Sequence, residues 1–331
     1  MSTSILFSSV GRRAQLIDCF RRSLRALDLK GSIIGIDSSG SAPAAYLVDR
    51  FIRVPRCDSS DFLETTLEIC QKHKVALLVP TIDTELPFYA LHRERFKAVG
   101  TTVAISTQET VEICVNKTLS NRWLLTNGFP TVRQGTVAEV LSQPSDWEFP
   151  LIAKPYRGSA SIGVRILNSV DSLIEFSKER SDLVVEEIAK GCEHTVNVFV
   201  DRFGRCLCAV PHHRLEVRAG EVAKGVTVKD LGVMELVSQV SERLPGAYGA
   251  LNVQGFLSPD SDFRITEINA RFGGGYPLAH QAGADFARWL LEELLGLASS
   301  ASFDSWQDGL AMLRYDTAVF LSAKEMASQR P

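Results

Sequence analysis

The first third of the chain alternates short apolar runs with helical periodicity, and that alternation admits few folds. Ile5-Leu6-Phe7-Ser8-Ser9-Val10 reads as a strand ending at Gly11. Residues 12–28 place Leu16, Cys19, Phe20, Leu24 and Leu27 at helical spacing, with arginines opposite. Ser32–Ile36 reads as a second strand, ending at Asp37. A helix is expected over about residues 61–73, and further strands at Val75–Val79 and Thr102–Ser106. Strands joined by helices of this length predict a parallel sheet with right-handed crossovers.

Near residue 110 the pattern changes. Residues 117–127 predict an amphipathic helix, stopped by Gly128 and Pro130. Pro144 to Pro150 is a polar, proline-bounded link. From residue 151 strands dominate, broken at Gly158, Gly163, Gly191, Gly204 and Gly220. Phe286, Trp289, Leu290, Leu294 and Leu295 mark a late helix, and Ser299–Ser305 a loop. The organisation expected is an α/β amino-terminal domain followed by an α+β part. A chain of 331 residues accommodates two or three domains at about 100–200 residues each.

Composition narrows the partners. A net charge of -3 offers no electrostatic case for nucleic acid or an anionic membrane. No apolar run approaches the roughly 20 residues that span a bilayer, and the first residues carry neither a basic stretch nor a long apolar one, so a cytoplasmic location is expected. The seven cysteines are scattered, without a Cys-x-x-Cys pair, which argues against zinc or disulfide roles.

Three stretches carry chemistry. Leu251-Asn252-Val253-Gln254-Gly255-Phe256 and Phe263-Arg264-Ile265-Thr266-Glu267-Ile268-Asn269-Ala270-Arg271 read as antiparallel strands around a turn at 258–262. A period of two puts Glu267, Asn269 and Arg271 on one face, and Gln254 can join them. The oxygen ligands suit magnesium, and an arginine beside them can clamp a phosphoryl group or carboxylate. An exposed polar strand face would show the same alternation.

The second stretch, Leu151–Val164, is an apolar strand ending in Lys154, then a loop of glycines and serines, then another apolar strand. Glycines let backbone N–H groups approach phosphate, and a lysine adds a point charge. No Gly-Lys-Ser/Thr ends the loop, so it is not a P-loop, and a plain hairpin turn remains open. In the third, Leu183–Val198, an apolar strand breaks into a connector whose backbone can read an adenine edge. Glu193 can accept from ribose hydroxyls, or the connector is a loop with solvated acids.

Taken together these residues resemble the ATP-grasp superfamily. They are most similar to one synthetase half of the carbamoyl-phosphate synthase large chain, in a stand-alone short form. The resemblance runs from Ile5–Gly11 and Leu77–Glu85 through Asn116-Lys117 and Gly128-Phe129-Pro130-Thr131. The Lys154 loop, the Glu186–Glu193 hinge and Gln254…Glu267-x-Asn269-x-Arg271 follow in the family's order. It implies a Rossmann-like pre-ATP-grasp domain (1–112), a lid subdomain (113–186), and a second subdomain with the metal site and carboxyl-terminal tail (187–331).

The resemblance also implies roles. Lys117 and Lys154 would bind ATP phosphates, under a loop of Gly158, Ser159, Ser161 and Gly163. Glu186, Glu187 and Ile188 would meet adenine and Glu193 the ribose. Gln254, Glu267 and Asn269 would hold Mg2+, with Mn2+ the alternative, and Arg271 would stand beside the transferred phosphoryl group. Gln254 as a ligand, where many relatives use an acid, points to the carbamoyl-phosphate synthase branch.

Outside those motifs, Arg214 and Lys224 lie in a basic stretch, His212 to Thr227, that reaches either the γ-phosphate and an acidic substrate or only solvent. Arg214 is placed with the nucleotide ligands and Lys224 with the catalytic residues. Arg12, Arg13, Asp83 and Glu85 follow strand ends and are candidates for the acceptor. The activity implied is an ATP-dependent ligase that joins a small carboxylate to an amine or ammonia through an acyl phosphate. A homodimer or a second subunit is its expected partner, and a non-catalytic ATP-binding subunit is the alternative. An NAD-dependent oxidoreductase lacks its glycine fingerprint here.

Overall fold

The computed structural model describes residues 3–158, 162–322 and Glu325. Its first layer is a parallel sheet of β1 (Thr3–Ser8), β2 (Gly31–Asp37), β3 (Arg50–Arg53), β4 (Val75–Val79) and β5 (Thr102–Val103), in the order β3-β2-β1-β4-β5. The interleaved helices are α1 (Ala14–Ala26), α2 (Phe62–His73), α3 (Leu86–Leu91) and α4 (Arg93–Ala98). Burial on both sheet faces explains the apolar runs: Ile5, Leu6, Phe7, Leu77, Leu78 and Val79 are all buried. Helix α1 buries Leu16, Ile17, Cys19, Phe20 and Leu24, each large apolar side chain contributing about 1.5–3 kcal/mol.

Two helices, α5 (Gln108–Val115) and α6 (Lys117–Thr126), lead into a smaller sheet of β6 (Gln134–Thr136), β7 (Leu151–Pro155), β8 (Arg165–Leu167) and β9 (Leu183–Glu187), ordered β6-β9-β7-β8. With α7 (Val137–Ser142) and α8 (Val170–Glu179) it has its own core. Trp147, Leu151, Leu173 and Phe176 pack there, apart from the main core. The main core is continuous between the first sheet and the carboxyl-terminal part.

That last part is an antiparallel sheet of β10 (Cys192–Val200), β11 (Cys206–Arg218), β12 (Glu221–Thr227), β13 (Gly249–Leu257), β14 (Phe263–Asn269) and β15 (Ala311–Leu313), ordered β14-β13-β10-β11-β12-β15. Helices α9 (Leu231–Arg243), α10 (Tyr276–Gln281) and α11 (Phe286–Leu294) accompany it. The expected strand over Thr102–Ser106 shortens to Thr102–Val103, and α9 interrupts the strand-rich half. Its signal was present: Asp230 caps Val233 N at 3.0 Å, and Val233, Val237 and Val240 share a buried face.

No described helix is long and apolar enough to cross a membrane, and every cysteine is a free thiol. The α/β and α+β organisation is therefore the one the sequence predicts.

Candidate active site

Register builds the site. Across the large sheet, Glu267 pairs with Gln254 and Gln254 with Thr195, while Asn269 pairs with Asn252 and Asn252 with Asn197. Two adjoining rows of polar side chains therefore run over three strands on one face, because period two repeats the same orientation. Gln254, Glu267 and Asn269 line one cavity of about 320 Å³, together with Thr195, Asn252 and Arg271. Asn252 Oδ1 accepts from Asn269 Nδ2 at 3.2 Å, which fixes the Asn269 amide with its oxygen turned to the Arg271 guanidinium, a long 3.5 Å contact.

The smaller sheet closes the cavity from the opposite side. Lys154, at the end of β7, is nearly buried, with its Nζ 2.6 Å from Glu186 Oε2 on β9. Lys117 opens α6. Asn116 caps that helix by accepting from Thr118 N at 3.0 Å and Leu119 N at 3.3 Å. The cap places Lys117 in the first turn, where its Nζ donates to Gly158 O at 2.8 Å and stands 4.0 Å from Glu267 Oε1. Gly158 has φ +132, which a side chain would strain.

The hinge residues divide. Glu186 and Glu193 line the cavity. Glu187 does not: it ion-pairs with Arg133 at 3.4 Å. Ile188 is exposed and is not among the residues that line the cavity. Gly163 packs against Pro155, outside the lining, while its neighbours Ile162 and Val164 are part of it. Ser159 and Ser161 lie outside the described residues.

Arg214 lines the cavity, with NH1 on Glu193 Oε1 at 2.6 Å and NH2 on Gly220 O at 2.9 Å. Lys224 corrects the sequence reading. It points to the outer face, half exposed, and pairs with Glu216 at 2.6 Å. Register is irregular between Arg214 and Val217, where Lys224 of β12 pairs with Glu216 of β11.

The carboxyl ends of β1 and β4 supply the remaining wall. Arg271 holds Asp83 bidentately, Nε to Oδ1 at 2.7 Å and NH2 to Oδ2 at 2.6 Å. Burial alone would lower the Arg271 pKa, but Asp83 beside it prevails and raises it above the usual arginine value. Arg13 bonds Glu221 at 2.8 Å. Burial alone would raise Glu221, yet Arg13 and Arg314 hold its carboxyl below the usual range.

Two acceptor candidates are not brought to the cavity. Arg12 is exposed. Glu85 is fully buried and accepts from Ser8 Oγ at 2.6 Å, Ser9 Oγ at 2.7 Å and Thr81 N at 2.6 Å, so it ties the β1 and β4 loops together. Sequence reasoning missed Asn252 and Thr195, although each sits two residues from a residue it singled out. It also missed Glu221, whose partners arrive from residues 13 and 314.

Two family profiles match in the same order as these layers. One, described as "PylC-like, N-terminal domain", covers residues 5–104. The other, described as "ATP-grasp in the biosynthetic pathway with Ter operon", covers residues 179–318. The second match places an ATP-grasp likeness on the half of the chain that carries the cavity's polar strands. No curated sequence matches it.

Solved structures show the same fold at low identity. The biotin carboxylase domain of the Hydrogenobacter thermophilus 2-oxoglutarate carboxylase, in complex with MgADP, ADP and bicarbonate, is 15% identical with a TM-score of 0.74. The match covers 93% of this chain and 73% of that one. Biotin carboxylase from Campylobacter jejuni, in complex with β-γ-ATP, is 14% identical with a TM-score of 0.71, over 93% and 74%. The N5-carboxyaminoimidazole synthetase of Staphylococcus aureus, complexed with ADP, is 16% identical with a TM-score of 0.71, over 91% and 79%.

Proposed function

We propose that the cavity binds Mg-ATP and that the chain is an ATP-dependent ligase. It would phosphorylate a small carboxylate or bicarbonate and pass the acyl group to an amine or ammonia, as the carbamoyl-phosphate synthase large chain does. The observation that carries this reading is the opposition of Lys117 and Lys154 on one wall to Gln254, Glu267 and Asn269 on the other. Nucleotide-bound relatives of the same fold support it.

The donor set fits magnesium. It offers one carboxylate and two carboxamide oxygens in adjoining register, hard ligands that need phosphate oxygens to complete the shell. Among the described residues no group of three or more His, Cys, Asp or Glu could hold a metal without the nucleotide. The ion would neutralise phosphate charge.

The chain's own residues then divide the work. Lys117 and Lys154 bind phosphate oxygens, Lys154 exchanging its bond to Glu186. The Gly158 loop covers them and excludes water, which protects an acyl phosphate from hydrolysis. Glu186 borders the adenine and Glu193, pinned by Arg214, takes ribose hydroxyls. Arg271 faces the group in transfer, where a preorganised cation stabilises developing charge. In this division, residues 1–112 present the acceptor, 113–186 the lid and 187–331 the metal face.

The test is phosphate release from ATP in the presence of amino acids, small carboxylates and bicarbonate, with and without ammonia. Acceptor-stimulated, magnesium-dependent release supports the reading. Nucleotide binding with no release under any condition would instead favour a non-catalytic ATP-binding subunit.

A further inference from the structure

The β12 end of the cavity carries charges that, Arg271 apart, the nucleotide and its metal leave unused. Arg13, Asp83, Glu221 and Arg271 line it from four separate segments. They form two ion pairs, Arg13 with Glu221 at 2.8 Å and Arg271 with Asp83 at 2.6 Å. Arg314 backs Glu221 from the far side at 3.0 Å and donates to Gly274 O. Two cations and two anions therefore face the cavity.

That balance restricts what can enter. A ligand with a carboxylate alone brings a third anion beside Asp83 and Glu221 and must compete with Glu221 for Arg13. A bare amine leaves an arginine uncompensated. Stripping one partner from a buried pair is expensive. A ligand bearing both charges inserts into a pair and leaves neither side alone.

The two pairs are not equally open. Both Asp83 oxygens are gripped by one guanidinium, and the Asp83 side chain is 16% exposed. Glu221 is 36% exposed, and its two oxygens take one donor each, from different arginines. Each oxygen can accept a further bond. Arg13 makes one short bond and a longer one to Thr81 O at 3.3 Å, which leaves donors of its five-donor fork for a carboxylate. Buried donors stand unpartnered around the same strands. They are Nε of Arg314, Nε of Arg214, on the cavity wall, and Nε2 of His212, which lies behind Gly275 where a Cβ would come within 2.6 Å of it.

We propose that this end of the cavity is the second-substrate site and takes an α-amino acid, with the ammonium on Glu221 and the carboxylate on Arg13. The proposal rests on the Mg-ATP reading of the same cavity and makes Glu221 a specificity-determining residue.

The experiment measures ATP-dependent phosphate release with each common α-amino acid. Each responder is then compared with its desamino acid and its decarboxylated amine. The amino acid should respond with a KM about tenfold or more below either analogue, the loss expected when a bond to a charged group is removed. Glu221→Gln should raise the KM for the amino acid and leave that for the desamino acid unchanged, so discrimination collapses. Arg13→Gln should do the same against the amine. Calorimetric Mg-ATP affinity should change far less than these KM values in both variants, because the proposal gives neither residue a nucleotide contact.

Equal response to the desamino acid or to bicarbonate overturns the proposal, as does silence towards every amino acid. The wild-type comparison decides even if a variant fails to fold. If Mg-ATP binds and bicarbonate alone drives release, the ligase reading survives and the amino-acid site falls. If Mg-ATP does not bind, both fall.

Discussion

Arg271, two residues beyond β14, and Asp83, after β4, meet in a two-bond ion pair with distances of 2.7 and 2.6 Å although 188 residues separate them. The pair joins the amino-terminal sheet to the metal-facing sheet at the cavity wall. It therefore couples the position of one domain's loop to the orientation of the guanidinium that we place beside the transferred group.

Removing Asp83 should be costly for that reason. Asp83→Ala leaves a buried arginine uncompensated, a loss of about 3–5 kcal/mol. Asp83→Asn, which keeps one acceptor, should cost less. Urea unfolding of both variants checks the order. Equal stability in wild type and Asp83→Ala would mean that the pair does not hold the domains.

Glu267→Gln removes the only carboxylate among Gln254, Glu267 and Asn269. Magnesium-dependent phosphate release should vanish while the melting temperature stays near wild type, because Glu267 is partly exposed and its nearest cation, Lys117, is 4.0 Å away. Native turnover in this variant would refute the ligand assignment.

Lys154 needs a paired design. Losing a preorganised charge on the transferring group costs about 3–4 kcal/mol, or two to three orders of magnitude in rate. Lys154→Met alone also strands the buried Glu186. The double variant Lys154→Met/Glu186→Gln should regain stability without regaining activity. Restored activity would reduce the Lys154 loop to a structural hairpin.

His212 supplies a pH signature. Burial foremost, with Arg214 beside it, pushes its pKa down to about 3. The unfolded chain binds the proton near the ordinary value of about 6.5, so below that pH the unfolded state carries more protons than the folded one. Stability should fall as pH drops from about 6.5 towards 3, with a slope approaching about 1.4 kcal/mol per pH unit. His194, also lowered, adds to it. His212→Asn should flatten the slope between about pH 6 and 5 in denaturant titrations, before most carboxylates titrate. An unchanged slope would show that His212 does not stay neutral in the fold.

Much of this architecture was readable in the sequence, for physical reasons. A period of two cannot be hidden along Leu251–Phe256 and Phe263–Arg271, so the polar face was visible before any register was known. The Gly128 and Pro130 stop likewise bounded α6 at its carboxyl end, while the Asn116 cap at its start was not read. What escaped was non-local. Glu221 pairs with Arg13 and Arg314, which no spacing rule connects. Lys224 was misplaced because a basic stretch does not reveal which side chains face the cavity, and here Lys224 is held by Glu216. Glu85 looked like a site acid because it follows a strand end, whereas its carboxylate is spent on Ser8, Ser9 and Thr81.

The central claim, that the cavity between the two lysines and the oxygen-bearing strands holds Mg-ATP, is tested most directly by isothermal calorimetry. ATP is titrated into the wild type with and without magnesium, and into Glu267→Gln with magnesium. The account predicts a single site per chain, tight only when magnesium is present and weakened in Glu267→Gln. Affinity that ignores both magnesium and Glu267, or no binding at all, would contradict it.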